Sequence, residues 1–197
     1  MIFKEPDGAT PLDPNETQGL KFQHITTRAE LNELEQANIE QGLRWVSRRR
    51  GGSVFDDHFI RTLHKRLFGD VWTWAGAYRR TEKTIGIDPQ QISVQLRILL
   101  DNIQYWIAHS VYPPLDIAAR FHHRLVQIHL FPNGNGRHAR IATDILLEDV
   151  YKLPPIPWAS GYDLEYDNQR RKEYITALRA ADCNDFTLLL KFVERAK

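Results

Sequence analysis

Leu31, Leu34, Ile39 and Leu43 recur at roughly helical intervals in "TTRAELNELEQANIEQGLRWVSRRRGG", with polar residues filling the positions between them. Thr27 stands three residues before Glu30, a capping-box spacing, so a helix begins there and Gly51 and Gly52 are placed to stop it. A second helix is expected near Phe55–Phe68. In "WTWAGAYRRTEKTIGID" the helical period is lost. Gly76 and Gly86 break the run, so the segment reads as extended or hairpin-like. Pro89 opens a further helix, with Ile92, Leu96, Leu99, Ile103 and Ile107 on one face. Pro113 and Pro114 start the next, with Leu115, Ala118, His122, Leu125 and His129 facing inward and Pro132 as its stop. A helix from about Asn135 to Tyr151 follows, ended by "LPPIPW", and the tail holds one or two more. The first two dozen residues carry Pro, Gly and Asp without period and read as an irregular lead-in. The predicted class is all-α with one small β-hairpin.

Composition narrows the picture only modestly. A chain of 197 residues, 42% hydrophobic and 26% charged, is long enough to bury a core without disulfides or structural metal. Cys183 is the only cysteine, so no internal disulfide can form. "MIFKEPDGAT" is polar and carries Glu5 and Asp7, unlike a signal segment, and no apolar run reaches the ~18 residues of a membrane span. A cytoplasmic location without membrane contact is the expectation. The formal net charge of +1 argues against a generally basic nucleic-acid binder and leaves local basic patches open. "RWVSRRR", Arg44–Arg50, fits a simpler purpose, since cations at a helix C-terminus contribute typically ~0.3–1 kcal/mol each.

The chemistry concentrates in "HLFPNGNGRHAR", His129–Arg140. His129 ends one helix, and Gly134–Gly136 precede the next. The first turn of a helix carries unpaired N–H groups and a partial positive charge, and glycines let that backbone approach an anion. Arg137 and Arg140, three apart, share a face above the site, and their planar forks match phosphate oxygens. A polyphosphate fits better than a single carboxylate. An imidazole beside it can accept a proton at neutral pH, which suits attack of a hydroxyl on a phosphoryl group. His122 reads as a core residue, Phe131 as a buried anchor of the turn, and Trp72 and Trp74 as packing residues. His122, His123, His129 and His138 lack the spacing of a zinc site.

The twelve residues resemble the Fic domain signature, His-x-Phe-x-acidic-Gly-Asn-Gly-Arg-x-x-Arg. Every fixed position except the acidic one is met, by His129, Phe131, Gly134, Asn135, Gly136, Arg137 and Arg140. "WTWAGAYR" resembles the stretch that precedes the family's β-hairpin flap, and "HITTRAELNELEQANI" resembles the subgroup called mobile mystery protein B. On this likeness residues 1–52 are a lead-in with a candidate inhibitory helix, and 53–197 are the Fic domain with C-terminal helices. The resemblance implies adenylylation, the transfer of AMP from ATP to a Ser, Thr or Tyr hydroxyl of a target protein with release of pyrophosphate. His129 would be the general base. Gly134, Asn135 and Gly136 would line the anion hole, Arg137 would hold the outer phosphates and Arg140 would pair with the γ-phosphate. Thr84, Ile85, Gly86, Ile87 and Asp88 would form the flap that aligns the target as an added strand. Glycine at 136 favours AMP transfer, since the related Doc kinases carry lysine there. A homodimer or a regulatory partner protein is left open.

Asn133 departs from the motif, replacing the acidic residue that helps to hold Mg²⁺. An amide supplies an oxygen without charge, so the nucleotide would provide most of the coordination. The family's inhibitory helix sends a glutamate to the last arginine of the motif. Glu35 and Glu33 are the candidates here, while Glu30 is explained by the capping box. A glutamate on such a helix is expected to be solvated. The alternatives are a catalytically degenerate nucleotide-binding module, a transferase using another phosphoryl donor or reaction, and a DNA-associated protein using Arg44–Arg50.

Overall fold

The computed structural model describes residues 13–22, 24–49, 53–158, 164 and 168–194. They form an all-helical body, and no described helix is long and apolar enough to cross a membrane. The part of the lead-in that is described, from Asp13 onward, is more ordered than its composition implied, and residues 1–12 lie outside the described residues. Asp13 and Glu16 make a capping box around a short helix, α1 (Pro14–Thr17). Residues beyond it lie antiparallel to the segment after α3, with Lys21 N–H donating to Val71 O at 2.9 Å and Thr73 N–H to Gly19 O at 2.9 Å.

The expected box at Thr27 and Glu30 starts α2 (Arg28–Ser47), whose Thr27 hydroxyl accepts the Glu30 N–H at 3.3 Å. The helix ends at Ser47, before Gly51 and Gly52, which lie outside the described residues together with Arg50. Its buried stripe is Leu31, Glu35, Asn38, Ile39 and Gly42, packed on α3 (Asp57–Phe68). A Cβ on Gly42 would stand 2.8 Å from Leu67 and 2.9 Å from the Arg66 carbonyl, so only glycine permits this approach of the two helices. Of the Arg44–Arg50 cluster, Arg49 is spent on an ion pair with Asp149 and lies 4.7 Å from the centre of the Phe59 ring.

No hairpin forms over residues 71–88. Among the described residues the one β-bridge is Leu20 with Trp72. The carbonyls of Thr81 and Ile87, which a ladder would use, instead accept from the guanidinium of Arg79. One 3₁₀ turn (Pro89–Gln91) leads into α4 (Ile92–Ala108), whose buried face includes Ile92, Leu96, Leu99 and Ile103. At the centre lies α5 (Pro114–Ile128), which touches α4, α6, α7 and α8. It stops at Ile128, before Pro132, because His129 turns left-handed (φ 56°). Next, α6 (Asn135–Leu146) runs into a π-turn at Leu147–Tyr151, and α7 (Gln169–Asp182) and α8 (Thr187–Glu194) close the body. His122 is a core residue as expected, bonded to the Tyr174 hydroxyl at 2.9 Å.

Candidate active site

The junction of α5 and α6 is built by two left-handed residues. His129 terminates α5 and Gly134, at φ +77°, caps α6. Gly134 is required twice over: its φ disfavours a side chain, and a Cβ would stand 2.7 Å from the Phe68 ring. Between them Phe131 is fully buried, as an anchor should be. Asn135 staples the turn, its side-chain oxygen accepting the Phe131 N–H at 2.9 Å and its amide donating to Phe131 O at 2.7 Å. The Asn135 side chain is thus committed to the turn.

His64, on α3, supports the same turn from below and was not singled out in the sequence. Its Nδ1 accepts the Gly76 N–H at 3.0 Å, so the ring proton must sit on Nε2, which donates to Asn133 O at 3.0 Å. The ring stacks on Phe131 with centroids 3.7 Å apart. Burial, then the nearby His138, keeps His64 neutral, its pKa well below the ordinary histidine value. Its signal in the sequence is faint: a polar position inside the apolar stripe Ile60, Leu63, Leu67.

His129 is 5% exposed, and neither ring nitrogen has a hydrogen-bond partner. Burial, followed by the charges of Arg79 and Lys83, pushes its pKa down to about 4. Gly86 (φ +107°) lies directly over it, since a Cβ there would be 2.7 Å from His129 Cβ and 2.7 Å from an Arg79 nitrogen. Thr84, Ile85, Gly86 and Ile87 line the cavity beside His129, whereas Asp88 caps the following turn by accepting the Gln90 N–H at 2.8 Å.

That cavity, about 510 Å³, is bounded by the flap, His129, the turn Asn133–Gly136, Arg137 and Arg140. Arg171, Tyr174, Ile175 and Leu178 on α7 form its far wall. These four were missed, although their spacing marks one helix face. A Cβ on Gly136 would meet nothing nearer than Arg140, at 3.7 Å, so glycine here leaves space that a side chain would occupy. Arg137 does not stand in solvent. Its Nη1 bonds Glu35 Oε2 at 2.6 Å, and Trp72 Nε1 donates to Glu35 Oε1 at 2.6 Å. Glu35, expected to be solvated, is 1% exposed, while Glu33 is exposed. The expectation failed because Glu35 sits in the middle of the α2 stripe that meets α3. It reaches the motif's first arginine, whereas the family pattern pointed to the last.

The donor set around the cavity does not fit a protein-held Mg²⁺. Asp182 is the one carboxylate among the lining residues, and it accepts from Gln127 and pairs with His123 at 2.9 Å. Asn133 Oδ1 accepts the N–H of Gly134, and among the described residues no three His, Cys, Asp or Glu side chains gather as a metal site.

The comparisons with known proteins agree with this architecture. Residues 54–147 match the Fic/DOC family. Protein adenylyltransferase Fic of Drosophila grimshawi is 29% identical over 139 residues, which is 68% of this chain and 27% of that protein. The Aedes aegypti protein of the same name is 28% identical over 138 residues, 68% of this chain and 26% of its own length. The chain therefore spans about a quarter of the length of these relatives. Among solved structures, Fic-1 of C. elegans superposes with a TM-score of 0.62 at 22% identity, covering 91% of this chain and 51% of that one. BepC of Bartonella tribocorum, with bound AMPPNP, superposes with a TM-score of 0.67 at 17% identity, covering 93% and 98%. Residues 54–147 are thus similar to a Fic/DOC family domain, and the described body has the all-helical Fic fold.

Proposed function

We propose that the protein is an adenylyltransferase that moves AMP from ATP to a Ser, Thr or Tyr hydroxyl of a protein target. The observation that carries this reading is that one cavity is lined by His129, the N-terminal turn of α6 and both motif arginines. Its size suits a nucleotide, and its flap edge is open to a target chain, with Ile85 exposed at the rim. In the proposed reaction the target oxygen attacks the α-phosphorus and the bond to the bridging oxygen breaks. Pyrophosphate leaves, and His129 takes the hydroxyl proton. The relatives named as adenylyltransferases and the neighbour holding AMPPNP support the same chemistry.

The depressed pKa keeps His129 in the unprotonated form that a base needs. Such a base is weak in the empty site. A bound triphosphate would place negative charge beside the ring and raise its basicity where the proton is taken. Arg137 and Arg140 would bind the outer phosphates, with the α6 amides as further donors. No step is assigned to a metal, because the lining residues do not provide for one.

Glu35 supports a regulatory reading of the same site. It holds the arginine that the outer phosphates need, so ATP must displace it. We read Glu35, held by Trp72, as a resident competitor and Glu33 as solvated.

The test compares α- and γ-labelled ATP with wild type, His129→Ala and Glu35→Gly, following label on the protein itself and on proteins of a cell lysate. The α-label should transfer, disappear in His129→Ala and increase in Glu35→Gly. Transfer from the γ position alone would make the protein a kinase. No transfer by any form, with ATP still bound, would leave a nucleotide-binding module.

A further inference from the structure

Arg79 is a charged side chain only 2% exposed, and it is absent from the wall of the nucleotide cavity. Its guanidinium spends its donors on main-chain carbonyls. Nε donates to His129 O at 2.6 Å, Nη2 to Ile128 O at 3.3 Å and also to Ile87 O, and Nη1 to Thr81 O at 2.9 Å. The Arg79 N–H donates to Leu130 O at 2.9 Å.

Two of these acceptors are the last carbonyls of α5, which have no partner within the helix and lie at its negative end. Ile87 belongs to the flap, and Thr81 to the segment that leads into it. His129 itself is held left-handed, a strained conformation for a non-glycine residue that needs its surroundings to hold it. Gly86 seals the junction, leaving no room for a Cβ between the flap, Arg79 and His129. Lysine could not replace this arrangement. Its single ammonium keeps the charge but lacks the planar fork that reaches both segments.

We propose that Arg79 is a positioning residue, whose fork clamps the flap to the backbone of His129 and so fixes the approach of a target hydroxyl to the imidazole. This rests on the reading of His129 as the general base. Arg79 has no place in nucleotide binding, so its loss should appear in turnover and not in ATP affinity.

The experiment uses Arg79→Lys and Arg79→Gln in the full chain. It measures kcat and KM for AMP transfer from α-labelled ATP, the Kd for ATP, and the ring titration of His129 by NMR. The charges acting on that ring are Arg79 and Lys83 on the flap side, while Arg137 and Arg140 of α6 line the cavity that His129 borders. Arg28 of α2, Arg124 of α5 and Arg171, Arg179 and Asp182 of α7 line the same space.

Arg79→Lys should lower kcat on the order of 10–100-fold, the usual penalty for small misplacement, with the Kd for ATP unchanged. Arg79→Gln should also move the His129 titration upward, as the neighbouring charge is removed. Wild-type kcat in Arg79→Lys, or a loss expressed equally in the Kd for ATP, overturns the proposal.

If the wild type transfers no AMP, the catalytic reading fails separately. Faster amide exchange at the flap and at His129–Leu130 in Arg79→Lys would still establish the clamp, and unchanged exchange would refute it. Should neither variant fold, the wild-type Arg79 Nε–H decides. Slow exchange with contacts to His129 and Ile87 supports the clamp, and rapid exchange without them overturns it.

Discussion

Glu35→Gln separates two opposite roles for the same carboxylate. In the wild type each Glu35 oxygen accepts one strong bond, from Arg137 at 2.6 Å and from Trp72 at 2.6 Å, with the Glu35 side chain 1% and the Arg137 side chain 12% exposed. Glutamine matches the shape, but its NH₂ must now face a donor, and the charge opposite Arg137 is gone. Hydrogen bonds to charged groups contribute about 1.5–3 kcal/mol, and breaking a buried pair from one side costs about 3–5 kcal/mol. A central loss of ~3 kcal/mol corresponds to a fall in Tm of about 6–12 °C for a domain of this size. ATP reverses the sign. The wild type must give up the pair before Arg137 can meet phosphate, so a pair worth ~2 kcal/mol weakens ATP binding roughly 30-fold, at tenfold per 1.4 kcal/mol. The variant should therefore melt lower when empty, bind ATP roughly 10–100-fold more tightly and gain more from added ATP. Thermal melts with and without ATP, together with calorimetric titration, read all three. Glu33→Gln, on the exposed side, should change none of them. A destabilised Glu35→Gln with unchanged or weaker ATP binding would refute competition, because Glu35 would then be orienting Arg137 for phosphate.

Gly134→Ala should lose both stability and ATP binding, because the added methyl meets the Phe68 ring at a left-handed residue; calorimetry with ATP checks it, and wild-type affinity would show the turn to be adaptable. His64→Phe keeps the stacking on Phe131 but leaves Asn133 O and the Gly76 N–H without their side-chain partner, so it should cost about 1–3 kcal/mol for each buried group left unpaired and weaken ATP binding without removing His129; a melting curve equal to wild type would contradict this. Stability should fall on acidification: His122, His129 and His138 have pKa values near 3, 4 and 4, below the ordinary 6.5, because burial disfavours the charged ring. The unfolded chain therefore binds more protons between about pH 6.5 and 4, and the stabilising contribution present above 6.5 is lost through that window. Asp144, raised to about 7 by burial, acts in the opposite direction but is one group against these three histidines and His64 and His123, which burial also shifts down. A Tm that stayed level from pH 7 to 5 would rule this out.

The helices, their caps and the chemical core of the site were readable along the chain because each depends on near neighbours. A capping box closes within three residues, an apolar stripe repeats within a turn, and the order His129, Gly134, Gly136, Arg137, Arg140 places an imidazole beside a helix N-terminus without reference to distant segments. The end of α5 already depends on more, because Arg79 receives the carbonyls of Ile128 and His129. The same side chain takes the carbonyls of Thr81 and Ile87 that a hairpin would have paired, so the predicted strands do not form. Glu35 reads as a solvated charge until α2 and α3 are packed. It then lies between Trp72 and Arg137, the latter 102 residues away along the chain. His64, Asn133 and the α7 wall are likewise joined across the fold. Residue order specified which chemistry the turn can support. Which side chains hold that turn, cover it and occupy its arginine was decided by the faces that meet when the helices pack, since contacts between distant residues leave no period in the chain.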